Sequence, residues 1–188
     1  MPLPDIVLAS ASPRRRELLA QAGIVFVCEP AHVDETVLPG EAPEVAVVRL
    51  AELKAAAISA RHPARLVLGA DTMVVCDGQA LGKPADLAEA RAMLRHLSDK
   101  PHVVLTGVAL LRQSPAHRDV WFASTRVRFK PLTDAAIEAY LQRVHVLDKA
   151  GAYAIQEHGG LIVDHIEGRL SNVIGLPVEE VAARLPPG

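Results

Sequence analysis

The sequence is poor in cysteine and in aromatic residues. Only two cysteines, Cys28 and Cys76, occur among 188 residues, and they form neither a CxxC pair nor a paired Cys/His spacing. This spacing argues against a zinc site and against a disulfide framework, so we expect a protein of the reducing cytoplasm. Aromatic residues make up 3% of the chain, too few for the stacking surfaces that bind single-stranded nucleic acid.

The chain also lacks a charge excess and a long hydrophobic run. Lysine and arginine number 20 against 22 acidic residues, so no overall basic field attracts nucleic acid or an anionic membrane. Charges interrupt apolar runs such as VVRLAELKAAAISA well before the roughly 20 residues of a membrane-spanning helix. The opening MPLPDIVLAS is too short and too acidic for a secretory signal, and we expect a strand there.

The order of predicted elements favours an α/β fold. Half of the residues are apolar, which at this length is enough for one domain with a substantial core. Helical patterns lie near residues 13–21, 43–60, 87–97, 134–144 and from 177 onward, and strand patterns near 5–9, 24–28, 66–81, 102–112, 119–129 and 161–166. Asp77-Gly78 predicts a two-residue hairpin turn. Because helices and strands mix without strict alternation, we expect a single domain over residues 1–188 with a three-layer, mixed-sheet arrangement.

The segment SASPRRR, residues 10–16, is the first candidate site. Ser12 and Pro13 are typical of an N-cap and a first helical turn, so a strand is predicted to lead into a helix N-terminus. Free backbone N–H groups, two hydroxyls and three guanidiniums can all donate to phosphate oxygens there. The alternative is an ordinary cap with solvated arginines. Three cations in a first turn oppose the helix dipole, so we favour an anion-binding site.

Two charged residues stand where apolar ones are expected. Asp71 interrupts the apolar strand pattern of GADTMVV, and a carboxylate there needs a cation, hydrogen bonds or an open cleft. Lys54 lies on the apolar side of its predicted helix, beside Val47, Leu50 and Ile58. The alternatives are an aspartate bonded to a nearby loop and a lysine whose stem only covers apolar surface.

Other charged residues carry weaker local signals. Lys83 follows the predicted hairpin in the constrained turn Gly82-Lys83-Pro84, and Glu35 lies in the loop HVDET. Each also fits an ordinary surface position. The eight histidines show no HExxH spacing, and neither GxxxxGK[ST] nor GxGxxG occurs, so the metalloprotease, Walker and Rossmann interpretations fail.

Eight collinear segments nevertheless resemble one family. The segments SASPRRRELL, HVDET, LAELKA, GADTMVV, LGKP, LTGV, DKAGAYAIQ and NVIGLP span nearly the whole chain and together resemble the Maf family of nucleoside triphosphate pyrophosphatases. The resemblance implies an elongated α/β fold of the inosine triphosphatase class, with the nucleotide in a cleft between two lobes. It also implies hydrolysis between the α- and β-phosphorus atoms with a divalent metal, Mg²⁺ or Mn²⁺.

The resemblance assigns roles to the candidate residues. Asp71 matches the family's proton acceptor, which would deprotonate the attacking water, and Glu35 would join Asp71 in holding the metal. Lys54 and Lys83 match phosphate-facing cations that offset the charge of the triphosphate and the leaving group. The predicted substrate-binding residues are Ser10, Ser12, Arg14, Arg15, Thr72 and Gln156.

Three of these positions differ between subfamilies, and Arg15, Thr72 and Gln156 resemble the dTTP/UTP type. A side-chain amide carries a donor and an acceptor side by side and can complement the edge of thymine or uracil. The chain departs from the family pattern at Ala154, where a glycine is expected. The alternatives are a pyrophosphatase for 7-methyl-GTP or another purine, and a nucleotide-binding regulator of cell division without turnover. A dimer is common among similar proteins, so a homodimer is one expectation.

Overall fold

The computed structural model describes residues 6–186. Its strands are β1 (Ile6–Leu8), β2 (Phe26–Cys28), β3 (Leu66–Cys76), β4 (Gln79–Leu81), β5 (Pro101–Arg112), β6 (His117–Phe129) and β7 (Val163–Glu167). Its helices are α1 (Pro13–Gln21), α2 (Pro43–Ser59), α3 (Leu87–Leu97), α4 (Asp134–Leu141), α5 (Leu170–Ile174) and α6 (Val178–Arg184). Two single 3₁₀ turns cover Ala150–Ala152 and Gly159–Leu161. Asp5, the first residue of the predicted N-terminal strand, lies outside the described residues.

The seven strands form one mixed sheet. Its order is β2-β1-β3-β5-β6-β7, and β4 pairs with β3. Strand β1 is parallel to both β2 and β3, whereas the pairs β3–β4 and β6–β7 are antiparallel. Parallel neighbours need a long connection between them, and α1 and α2 provide it on either side of β2 in the chain. A mixed sheet flanked by helices confirms the predicted α/β class.

Local signals predicted the turns and helix starts correctly. At the hairpin between β3 and β4, Asp77 and Gly78 both have positive φ angles, 50° and 76°, which a two-residue turn of matching twist requires. The Ser12 hydroxyl accepts a hydrogen bond from the Arg15 N–H at 3.4 Å, as an N-cap does. The spacing of Asp86 and Glu89 predicts a capping box at the start of α3, and the Asp86 carboxylate accepts from the Glu89 N–H at 2.8 Å.

The boundaries near the C-terminal half differ from the prediction. Helix α4 ends at Leu141 instead of continuing to about residue 144. The N–H groups of Arg143 and Val144 both donate to the Tyr140 carbonyl, three and four residues back, so the chain leaves the helix through a tightened last turn, as helix ends commonly do. Helix α5 and the two 3₁₀ turns were not predicted, because elements of three to five residues are too short to show a period.

The chain divides into two compact units. The first comprises the described residues of Met1–Thr72, Thr106–Ala123 and Gly175–Gly188, and the second comprises Met73–Leu105 and Ser124–Ile174. One core cluster of the first unit includes Ala51, Ala55 and Val67. The core of the second unit includes the aromatic residues Phe129 and Tyr140. In the described part of the chain, no helix is both long and apolar enough to cross a membrane.

Candidate active site

Lys54 joins two carboxylates into one charged cluster in the first unit. Its ammonium nitrogen Nζ donates to Asp71 Oδ1 at 2.7 Å and to Glu35 Oε2 at 2.8 Å. Lys54 and Asp71 are 7% and 8% exposed, whereas the Glu35 side chain is 53% exposed. Lys54 is therefore not a lysine with its charged end in solvent, and Asp71 is bonded to a buried cation.

The close approach of α2 to the sheet brings Lys54 to Asp71. A Cβ atom at Gly69 on β3 would lie 2.2 Å from the Ala51 carbonyl oxygen, and one at Gly107 on β5 would lie 2.1 Å from that of Val47. Real Cβ atoms do not approach this closely, so only glycine permits this contact. The helix backbone thus lies directly on the two strands, and Lys54, one turn after Ala51, reaches the carboxylate that follows Gly69.

An arginine–glutamate pair, Arg49 with Glu41, holds the loop that carries Glu35. Arg49 Nε donates to Glu41 Oε1 at 2.6 Å, and Arg49 Nη2 donates to Glu41 Oε2 at 2.7 Å and to the Thr36 carbonyl at 3.0 Å. The hydrogen bond from Arg49 lowers the pKa of Glu41 to about 2, so this pair stays charged at neutral pH. On the other side of Glu35, Asp34 accepts hydrogen bonds from the Thr36 N–H and hydroxyl.

Sequence reasoning missed this arrangement. By helical spacing Arg49 shares one charged arc of its helix with Glu44 and Glu52, so neither Arg49 nor Glu41 has a separate signal in the sequence. The only available indication was the acidic residue at the end of the loop facing a basic residue early in the following helix. The two partners are eight positions apart, across a loop-to-helix boundary that helical spacing rules do not cover.

Arg15 forms a second cluster in the first unit. Its Nε donates to the Gly175 carbonyl at 2.8 Å, its Nη1 to Ser10 Oγ at 3.0 Å and its Nη2 to Thr72 Oγ1 at 3.1 Å. Burial lowers the pKa of the Arg15 guanidinium, and the negative charge of Asp71 opposes that shift. The Arg15 cluster and the Lys54 cluster are therefore electrostatically linked through Asp71.

Thr72 connects the two clusters along strand β3, because it directly follows Asp71. Its hydroxyl lies 3.0 Å from Thr106 Oγ1 and 3.3 Å from the Gly175 carbonyl oxygen, as well as accepting from Arg15. Thr106 and Gly175 belong to the segments LTGV and NVIGLP. The structure thus brings together residues from six of the eight segments quoted above. They are Ser10, Glu35, Lys54, Asp71, Thr106 and Gly175.

The N-terminus of α1 is held by hydrogen bonds within the protein. Ser10 Oγ accepts from the Ser12 N–H at 3.2 Å as well as from Arg15, and Ser12 caps the helix. Arg14 is half-buried and Arg16 is exposed. Three nitrogen atoms of the Arg15 side chain already donate to protein acceptors, and the N–H groups of Arg15 and Arg16 donate to Ser12. These groups, which the sequence predicted as donors to an anion, therefore have acceptors within the protein.

Lys83 and Gln156 belong to the second unit, where both side chains are exposed. The Gly151 N–H donates to the Gly82 carbonyl at 3.1 Å, which joins the loop carrying Lys83 to the segment carrying Gln156. The Tyr140 hydroxyl donates to the Ala154 carbonyl at 3.2 Å and accepts from its N–H at 3.0 Å. These bonds fix the backbone two residues before Gln156, and Tyr140 had no signal in the sequence.

The donor set of the first cluster fits a hard divalent cation. Glu35 and Asp71 each place a carboxylate oxygen within 2.8 Å of the same ammonium nitrogen, so both carboxylates converge on a position where a positive charge is already held. Carboxylate oxygens are the ligands that Mg²⁺ and Mn²⁺ prefer. The half-exposed Glu35 leaves this position open to solvent on one side.

Comparison with known proteins gives one family throughout. Residues 5–186 match the family described as Maf-like protein. The chain is 50% identical to a dTTP/UTP pyrophosphatase of Myxococcus xanthus over 180 residues, 96% of this chain and 90% of the relative. It is 51% identical to a dTTP/UTP pyrophosphatase of Anaeromyxobacter dehalogenans over 185 residues, 97% of this chain and 93% of the relative. It is 49% identical to a dTTP/UTP pyrophosphatase of Moorella thermoacetica over 176 residues, 94% of this chain and 91% of the relative.

Proposed function

The chain belongs to the Maf-like protein family, and on that basis we propose that it hydrolyses dTTP and UTP to the nucleoside monophosphates and pyrophosphate. Relatives at about half identity over nearly their whole length are dTTP/UTP pyrophosphatases. The observation that carries the proposal is the buried contact of Lys54 with Asp71 and Glu35. A carboxylate placed this way in an apolar strand serves no packing purpose.

In the proposed reaction Asp71 accepts a proton from the attacking water. The water oxygen bonds to the α-phosphorus, the bond from that phosphorus to the bridging oxygen breaks, and pyrophosphate leaves. Lys54 holds the Asp71 carboxylate in one orientation, which is the arrangement that a general base needs. Because both side chains are nearly buried, their charges act in surroundings of low dielectric constant, where they are stronger than in water.

The predicted phosphate-binding cations would neutralise the negative charge of the triphosphate. We assign Lys54, Lys83 and Arg14 to this role, together with the hydroxyls of Ser10 and Ser12. Glu35 and Asp71 would hold Mg²⁺ or Mn²⁺, which when bound neutralises part of the negative charge on the triphosphate. Glu35 is suited to this role because the Arg49–Glu41 pair orders its loop while its own carboxylate stays accessible.

We further propose that Arg15, Thr72 and Gln156 select the base. The contact between Arg15 and Thr72 supports a common role for two of them next to Asp71. Gln156 would match its amide to the pyrimidine edge. The names of the relatives favour pyrimidines over 7-methyl-GTP and other purines. A regulator that only binds nucleotide has no need of a buried carboxylate beside the phosphates. The homodimer, the single domain over residues 1–188 and the cytoplasmic location remain predictions.

Pyrophosphate release from a panel of nucleotides tests the proposal. With Mg²⁺ present, we expect kcat/KM for dTTP and UTP to exceed that for CTP, GTP and 7-methyl-GTP. Asp71→Asn serves as the inactive control, since it retains the shape of the side chain and loses the base. A wild-type preference for 7-methyl-GTP would replace the pyrimidine assignment. Nucleotide binding without any pyrophosphate release would favour the regulator.

A further inference from the structure

A cysteine, an aspartate and a histidine meet in the second unit, apart from every residue assigned above. Ligand atoms of Cys76, Asp77 and His96 all lie within 4.8 Å of one another. The spacing of cysteines and histidines along the chain does not reveal this cluster, because His96 lies on helix α3 whereas Cys76 and Asp77 lie at the hairpin after β3. None of the eight segments that resemble the family includes His96 or Asp77.

The three residues lie on a tight hairpin and a helix. Cys76 is the last residue of β3 and pairs with Gln79 across the hairpin. Asp77 is the next residue and adopts the left-handed conformation that the turn requires, with φ of 50°. His96 lies in the last turn of α3. Sites built on a hairpin end and a helix keep their geometry better than sites on free loops.

The histidine nitrogen that faces the cluster lacks a hydrogen-bond partner. His96 Nε2 is shielded from solvent and makes no hydrogen bond within the described residues, although Asp77 Oδ2 lies 3.7 Å away. Cys76 is 1% exposed, and its sulfur approaches only the Pro101 carbonyl, at 4.0 Å. A buried polar atom without a partner costs free energy, and a metal ion between these groups would satisfy both the nitrogen and the sulfur.

We propose that Cys76, Asp77 and His96 bind a borderline-soft divalent cation, with Zn²⁺ the best match. Zinc takes thiolate, imidazole and carboxylate ligands at 2.0 to 2.3 Å in tetrahedral sites, so its ligand atoms lie about 3.5 Å apart. The His96–Asp77 separation already meets this value. Three protein ligands leave the fourth position to water. On binding, the Cys76 thiol gives its proton to solvent.

Lys100 is a cation beside the cluster. Its Nζ donates to Asp77 Oδ2 at 2.8 Å, and its side chain is 42% exposed. Lys100 and His96 Nε2 both face Asp77 Oδ2. A carboxylate oxygen has two lone-pair sites, so a ligating Oδ2 can keep its contact with Lys100, as metal-ligating carboxylates keep hydrogen bonds to outer groups. The sulfur and nitrogen ligands distinguish this site from the oxygen ligands proposed for Mg²⁺ or Mn²⁺ at Glu35 and Asp71.

Titration with Co²⁺ tests the proposal in a Cys28→Ser background, which leaves Cys76 as the only thiol. Cobalt bound to a thiolate gives a charge-transfer band in the near ultraviolet. We expect this band to saturate at one Co²⁺ per chain, to disappear on addition of Zn²⁺ and to persist in excess Mg²⁺. The band must also persist in Asp71→Asn, which separates the site from the proposed catalytic centre.

Ligand variants identify the residues involved. His96→Gln should weaken Co²⁺ and Zn²⁺ binding at least about tenfold, and Cys76→Ser should abolish the band. His145→Gln is the matched control, because His145 is mostly exposed and lies outside the cluster. His96 is partly exposed, so its variant decides the result even if Cys76→Ser does not fold. Absence of the band in the Cys28→Ser protein, or an unchanged affinity in His96→Gln, overturns the proposal.

Discussion

Replacing Lys54 with methionine removes the ammonium group that Asp71 and Glu35 share, while it keeps most of the buried stem. Breaking a buried ion pair by removing one partner costs about 3–5 kcal/mol, because the remaining charge is buried without compensation. Glu35 is half-exposed and its carboxylate can be hydrated, so the penalty comes chiefly from Asp71. We therefore expect Lys54→Met to lower the free energy of unfolding by about 3 kcal/mol. For a protein of this length such a loss lowers the Tm by roughly 6–12 °C.

A double-mutant cycle with Asp71→Asn isolates the interaction. The single Asp71→Asn variant should lose less stability than Lys54→Met does, about 1–2 kcal/mol, because Lys54 keeps its ion pair with Glu35. In Lys54→Met/Asp71→Asn no buried charge remains unpaired. The double variant should therefore be more stable than the sum of the single effects implies, by about 2 kcal/mol. Urea unfolding at pH 7, with the m value checked for each variant, measures all four free energies.

Activity gives the second readout of the same cycle. Asp71→Asn should reduce turnover of dTTP by about 100-fold or more, as expected for a lost general base, and Lys54→Met should remain poorly active in both backgrounds. The exposed pair Arg95–Asp134 provides a control cycle with little coupling. If the Lys54 and Asp71 effects on stability add to within about 0.5 kcal/mol, the buried ion pair does not contribute as argued.

Four further predictions test other parts of the structure. Gly69→Ala should destabilise the protein by about 1–3 kcal/mol and reduce turnover, because its Cβ would meet the Ala51 carbonyl. Gly160→Ala is the control, since its Cβ meets no atom within 4 Å, and it should change neither stability nor turnover. Equal effects of the two variants would refute the close approach of α2 to β3. EDTA should abolish pyrophosphate release and Mg²⁺ or Mn²⁺ should restore it, whereas full activity in EDTA would exclude the metal role. Gln156→Glu should lower kcat/KM selectively for dTTP and UTP, since a carboxylate has no donor for the base oxygens; an equal loss on every nucleotide would show that Gln156 does not contact the base. Burial lowers the pKa of His102 to about 4, so the unfolded chain binds a proton that the folded chain does not. The free energy of unfolding should therefore fall by about 3 kcal/mol as the pH drops from 6.5 to 4. In urea unfolding, His102→Gln should show a flatter pH dependence than the wild type. An equal pH dependence would show that His102 is already charged in the folded state.

Local patterns in the sequence were sufficient for most of the secondary structure and for two residues of the candidate site. The hairpin at Asp77-Gly78 and the caps at Ser12 and Asp86 follow from conformational preferences that act over two to four residues. Asp71 and Lys54 were recognisable because each places a charge where the period of its strand or helix predicts an apolar residue. A violation of a local rule is visible without any knowledge of the fold.

Contacts between distant segments depended on the tertiary structure. Three consecutive arginines look alike in the sequence, and only the packing of α1 against the Gly175 carbonyl buries Arg15 while Arg16 stays in solvent. The Glu35 loop gave a weak signal because its partners, Arg49 and Lys54, lie on the next helix. The approach of Cys76 to His96 likewise arises from the way α3 packs in its unit. Such contacts join residues that are far apart along the chain, so no helical or strand period in the sequence indicates them. They form only after folding has closed the long loops between these residues.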